Sequence, residues 1–225
     1  MKKLITVFFS LAISITLNAQ SIYDDFESYT DTSNLKATWK GFGNALNGQY
    51  SLTETNGKNN SKAAEYKVDW TAGTFFGAQL VVGSTAGEDY SDALKVSVDV
   101  KFENETIEGL NDTATDTTFK FQMRDMNNTV YQTNYSPITS SFTNFEFEIN
   151  NENMSFSEGT ESITLEQVAS NLQDFRFIVL NDDGAGVQNI YFDNFNVSSV
   201  PEPSVYALLA GLLSLGWISI KRRIR

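Results

Sequence analysis

The sequence predicts an all-β fold: a two-sheet antiparallel β-sandwich of jelly-roll type with one short helix. Three observations carry this. Apolar residues recur at every second position, as in Leu94, Val96, Val98, Val100 and Phe102 with Lys95, Ser97, Asp99 and Lys101 between them. That period of two marks half-buried antiparallel strands. Such segments are separated by polar stretches, long ones being Glu103–Asp116 and Asn150–Glu161. Only Ile163–Leu172 reads as a helix, with Thr164 and Gln167 spaced as a capping box.

In chain order, the first expected strands are Ile22–Tyr29, Gln49–Glu54, Ala63–Trp70 and Thr74–Val82, followed by the alternating segment that ends at Phe102. Clean alternation returns at Phe119, Phe121 and Met123, at Phe145, Phe147 and Ile149, and at Phe175, Phe177 and Val179. Thr129–Tyr135 and Tyr191–Val197 complete the set. About ten short strands with polar connections point to two packed sheets. No sustained repeat and no linker divides them, so residues 20–199 are expected to form one domain.

The two ends differ from this middle. Met1-Lys2-Lys3 precedes an apolar run from Leu4 to Leu17 and then Asn18-Ala19-Gln20. A basic start, a short apolar stretch and a small residue before a polar turn predict a signal peptide over 1–19, cleaved after Ala19. At the other end, Val200-Pro201-Glu202-Pro203-Ser204 leads into apolar residues from Val205 to Ile220 and then Lys221-Arg222-Arg223-Ile224-Arg225. As a helix that apolar stretch is about 24 Å long, slightly short of a ~30 Å hydrocarbon core. The basic cluster favours the cytoplasmic side and leaves the domain outside. Pro201 and Pro203 favour an extended, accessible stalk.

Composition narrows the chemistry. The chain of 225 residues has no His and no Cys. That excludes a Ser-His-Asp triad, a His-ligated zinc site, a thiol nucleophile and disulfides. Six basic residues (Lys2, Lys3, Lys221, Arg222, Arg223, Arg225) and one acid (Glu202) lie in the ends. Residues 20–199 therefore keep 10 of the 16 basic and 27 of the 28 acidic residues, a net charge of −17. Such a domain repels phosphate backbones, and no nucleic-acid partner is expected. With 27 acids, carboxylate pairs arise by chance, and no catalytic motif is recognisable, so the expectation is a non-enzyme.

The tail, residues 200–225, resembles the PEP-CTERM sorting signal in its Pro-Glu-Pro at 201–203, short transmembrane helix and Arg-rich end, in that order. The resemblance implies that Pro201, Glu202 and Pro203 are recognised by an exosortase-type processing enzyme. It also implies an exported protein, anchored in the membrane through the C-terminal helix until processing releases it to the surface or matrix.

The middle opens with Asp24-Asp25-Phe26-Glu27 and closes with Tyr191-Phe192-Asp193-Asn194-Phe195. That pairing resembles jelly-roll carbohydrate-binding modules, whose first and last strands lie side by side and often share a structural calcium ion. By this resemblance Glu27 and Asp193 are calcium ligands. Asp25, placed on the face of Glu27 by the period of two, is a further one. Asn181-Asp182-Asp183-Gly184-Ala185-Gly186 lacks the spacing of an EF-hand and reads as a plain turn. For an extracellular polysaccharide or glycan, the candidate stacking residues are Trp39, near Lys40 and Asn44, and Tyr131 and Tyr135, which flank Gln132 and Asn134. The competing expectations are a structural or adhesive envelope protein without sugar binding and, less favoured, a carboxylate-based glycoside hydrolase or lyase.

Overall fold

The computed structural model describes residues 21–83, 85–93, 95–104, 117–181 and 186–199. The expected signal peptide, the sorting tail, most of the 103–116 loop and positions 182–185 lie outside them. Among the described residues, no helix is long and apolar enough to cross a membrane.

Two antiparallel sheets form a sandwich. The first contains β1 (Ile22–Asp24), β3 (Leu46–Thr53), β4 (Ala63–Asp69), β6 (Lys95–Asn104), β10 (Thr143–Glu148) and β13 (Val187–Ser198). Its order is β10-β6-β13-β4-β3, with β1 also on β13. The second contains β2 (Trp39–Phe42), β5 (Phe75–Val81), β7 (Thr118–Asp125), β8 (Val130–Gln132), β9 (Ser136–Pro137), β11 (Ser155–Glu158) and β12 (Leu172–Leu180). It runs β11-β8-β7-β12-β5-β2, with β9 beside β7. The first and last strands do lie side by side, Ile22 facing Val197 and Asp24 facing Phe195.

Alternation explains the core. Val96, Val98 and Val100 of β6 face Phe119 and Phe121 of β7 and Phe175 and Phe177 of β12 across the interior, all fully buried. Each such phenylalanine contributes about 1.5–3 kcal/mol by leaving water, so a change such as Phe177→Ala costs about 3–5 kcal/mol. The motif Phe192-Asp193-Asn194-Phe195 breaks the period, yet both phenylalanines are buried. A bulge between Asp193 and Asn196 reconciles these facts, with Asn194 in the left-handed region at φ 49°.

Four expectations need correction. The strand expected over Ile22–Tyr29 ends at Asp24, because Asp24 and Asp25 fold the chain back on themselves. Asp24 accepts from the Phe26 amide at 2.9 Å and Asp25 from the Glu27 amide at 3.1 Å, with Phe26 at φ 62°. A second helix, α1 (Thr32–Thr38), follows, capped by Asp31, which accepts from the Asn34 amide at 2.9 Å. The helix expected over Ile163–Leu172 is shorter, α2 (Leu165–Ala169), and has the anticipated Thr164–Gln167 capping box. Finally, the short strands β2, β9 and β11 carry too few residues to show a period.

Candidate functional site

The outer face of the seven-stranded sheet is built from the residues that alternate with the core. Register aligns them in rows. Arg176 on β12 lies opposite Gln79 on β5 and Gln122 on β7. Gln79 lies opposite Lys40, Gln122 opposite Gln132, and Gln132 opposite Ser155. Six strands thus contribute one continuous row of hydrogen-bonding side chains, about 24 Å long at ~4.8 Å per strand.

Asp174 organises the centre of this face. It is fully buried, and its Oδ1 accepts from Arg176 Nε at 2.8 Å. Its Oδ2 accepts from Arg124 Nε and from Gln79 Nε2, both at 3.0 Å, and from a terminal amino group of Arg124. Arg124 also donates to Asn128 Oδ1 at 3.0 Å. The guanidinium planes are therefore fixed before any ligand arrives. Burial lowers the Arg176 pKa from its usual value while Asp174 pulls it back up, and an arginine remains charged under all ordinary conditions.

Aromatic rings flank the row. Phe42 lies across Gly77, where an added Cβ would stand 2.1 Å from the ring. The absence of a side chain there lets the ring rest on the sheet, with the Arg176 guanidinium 5.3 Å from its centroid. At the other end Tyr135, 44% exposed, stacks over the Lys120 ammonium at 4.4 Å. Beside Tyr135, a polar cleft of about 520 Å³ opens between β10 and the β8–β9 turn, lined by Asn134, Glu148, Glu152 and Asn153 among others.

The predicted stacking residues separate. Tyr135 is on this face. Trp39 is fully buried, its indole donating to Asp24 Oδ2 at 2.8 Å and stacking on Phe177, so it fills the core and offers no face to a ligand. Tyr131 is partly buried on the inner side, opposite Met123, and its hydroxyl donates to the Ile163 carbonyl at 3.0 Å. Tyr131 therefore anchors the loop before α2.

Asp25, Glu27 and Asp193 do not converge. Asp25 caps the turn described above, and Glu27 accepts from the Lys62 amide at 2.8 Å. Asp193 is fully buried and accepts from the Lys58 amide and the Ser61 hydroxyl, both at 2.8 Å, and from the Asn194 amide at 2.7 Å. Burial raises its pKa even so. Its neighbour Asp99 holds the Lys58 ammonium through both oxygens at 3.0 Å. Among the described residues, no three His, Cys, Asp or Glu side chains gather as a metal-holding group. Donors surround these carboxylates where a calcium ion would need oxygen ligands, so the arrangement does not fit one.

Sequence reasoning missed Gln79, Lys120, Gln122, Arg124, Asp174 and Arg176. Their signal was present: they are the polar partners in the alternation that places Phe119, Phe121, Phe175 and Phe177 inside.

No protein-family model matches the chain, and no curated protein is similar to it in sequence. Solved structures are similar in fold. The family 11 carbohydrate-binding module of a cellulosomal cellulase from Clostridium thermocellum aligns at a TM-score of 0.52 and 15% identity, over 82% of this chain and 96% of that one. A family 30 carbohydrate-binding module aligns at 0.52 and 12%, over 81% and 90%. An exo-beta-agarase aligns at 0.53 and 11%, over 80% of this chain but only 25% of the enzyme. The domain has the jelly-roll fold of carbohydrate-binding modules. At these identities the likeness is one of fold.

Proposed function

We propose that this is an exported, non-catalytic protein that binds extracellular carbohydrate through the outer face of its seven-stranded sheet. The observation that carries this reading is the face itself: the Phe42 ring packed over Gly77, an exposed Tyr135, and a row of fixed hydrogen-bonding groups. Sugar recognition needs these two components, an apolar ring for the sugar face and polar groups for its hydroxyls. The fold shared with carbohydrate-binding modules supports the reading. On this face Asp174 is saturated by its arginines, and among the described strand residues there only Glu158 adds a second outward acid. Asp174, held by its arginines, is not free to serve as one of a pair of catalytic carboxylates.

The reading extends to the ends of the chain. The signal peptide 1–19 exports the domain, and the tail 200–225 holds it in the membrane until an exosortase-type enzyme recognises Pro201-Glu202-Pro203. The domain then stays at the cell surface or passes to the extracellular matrix.

The test is affinity electrophoresis of the full chain, in mild neutral detergent, through gels containing single polysaccharides. Retardation by at least one polymer, lost in Tyr135→Ala and kept in Tyr131→Phe, is the expected result. A folded protein that no polysaccharide retards refutes the reading and favours a structural or adhesive envelope protein. Mass spectrometry of the exported protein should find Gln20 at its N-terminus, and replacing Pro201-Glu202-Pro203 by alanines should leave the tail uncut.

A further inference from the structure

The charges of this acidic domain are unevenly placed. The strands of the seven-stranded sheet carry Lys40, Lys120, Arg124 and Arg176 against Asp125, Glu158 and Asp174. Asp125 is withdrawn into the β7–β8 turn, where it accepts from the Asn127 amide at 2.9 Å and the Thr129 amide at 2.7 Å. Asp174 is one carboxylate shared by two guanidiniums. The outer positions of the opposite sheet carry Glu65, Asp69, Asp99, Glu103, Glu146, Glu148 and Asp193 against Lys67, Lys95 and Lys101. Thus four of the domain's ten basic residues stand on one face, in a domain of net charge −17.

We propose that this face binds an acidic polysaccharide, one carrying carboxylate or sulfate groups along its length. The inference rests on reading the face as a glycan site and specifies the chemistry of its ligand. A neutral sugar needs hydroxyl partners and aromatic rings, and it gains little from cations. The guanidinium fork, by contrast, matches carboxylate and sulfate oxygens. Arg176 commits only Nε to Asp174, and its terminal amino groups remain for a ligand. Asp174 holds both guanidiniums in place without cancelling their charge. Lys120, beneath Tyr135, puts a further cation beside the exposed ring. The cationic positions run from Lys40 on β2 to Lys120 and Arg124 on β7, three strand steps or about 14 Å. Charges spaced along such a line fit a polymer with an acid on successive units better than a single charged end. The acidic remainder of the domain repels polyanions, so such a polymer is held only where the cations converge.

The experiment compares the full chain, in neutral detergent, against a polyuronate, a sulfated galactan, an unsulfated galactan, a mixed-linkage glucan and duplex DNA, by calorimetry at low and high sodium chloride. The expected result is at least tenfold tighter binding of an acidic glycan than of any neutral one, weakening as salt rises. The polyuronate and sulfated arms identify the acid group. Arg176→Gln should weaken acidic-glycan binding about ten- to hundred-fold, the range of a hydrogen-bonded charge. Lys40→Gln, at an exposed position, should weaken it several-fold without affecting folding, and Lys101→Gln on the opposite sheet should leave it unchanged. Neutral glycans bound as tightly, without salt dependence, would overturn the inference while leaving the glycan reading intact. Equal binding of DNA would also overturn it, by showing a mere anion exchanger. Binding of none would refute the glycan reading itself.

Discussion

Replacing Asp174 by alanine isolates the feature that orders the outer face. The carboxylate is fully buried and accepts from Arg124, Arg176 and Gln79 at 2.8–3.0 Å. Its removal leaves two guanidiniums side by side without an anion. Breaking a buried ion pair from one side costs about 3–5 kcal/mol. Here the arginine side chains keep 18% and 15% of their exposure, so water partly solvates them. The expected loss is therefore about 2–3 kcal/mol. For a domain of this size that lowers Tm by about 5–10 °C. Thermal unfolding followed by circular dichroism measures it. The companion variant joins Asp174→Leu to Arg124→Met and Arg176→Met, replacing the triad by apolar groups of similar volume. It should recover most of the lost stability, because the cost lies in the unpaired charges. A fall of less than about 2 °C for Asp174→Ala, or a triple variant just as unstable, would refute the reasoning.

Further outcomes follow from individual contacts. Gly77→Ala places a Cβ 2.1 Å from the Phe42 ring and must lift it, so glycan affinity should fall about two- to tenfold with little change in Tm. Burial raises the pKa of Tyr29, Tyr66 and Tyr191, helped by Asp24 at Tyr29 and by Glu65 at Tyr191. The unfolded chain then loses these protons first as pH rises, so the rings contribute stability that is full below about pH 10 and is lost above it. A phenolate absorbance titration should show these three of the nine tyrosines ionising only as the protein unfolds. Asp193 is saturated by Lys58, Ser61 and Asn194, and Asp99 by Lys58. Millimolar calcium or a chelator should accordingly leave Tm within about one degree, and a calcium-dependent rise of several degrees would contradict this. Lys58→Ala should lower Tm, because it strips the cation from a carboxylate with only 3% side-chain exposure.

Much of the architecture was legible because a strand buried on one face writes its period directly into the sequence. Val96–Phe102, Phe119–Met123, Phe145–Phe147 and Phe175–Val179 all fall on strands that the structure contains. Local hydrogen bonding was less legible. Asp24 reads as a strand residue, but its carboxylate has a better use, joining the Phe26 amide, the Tyr29 hydroxyl and the Trp39 indole. That one choice ends the strand and takes Trp39 out of any binding surface.

The candidate site was least legible because it depends on strand order, which alternation does not encode. Lys120, Gln122 and Arg124 can be assigned to an outer face from their neighbours alone, as can Asp174 and Arg176. Nothing in either segment says that β7 and β12 are adjacent, that Asp174 falls opposite Arg124, or that β5 brings Gln79 to the same carboxylate. Once pairing is known, the scattered polar residues become one row and the charges one face. Aromatic residues mislead for the same reason: period and size mark Trp39, Tyr131 and Tyr135 alike. Only pairing separates the buried indole and the anchoring phenol from the ring that meets solvent. The candidate surface therefore emerges from the second face of each strand, read across the sheet, where a lone arginine becomes one of two guanidiniums fixed by a single carboxylate.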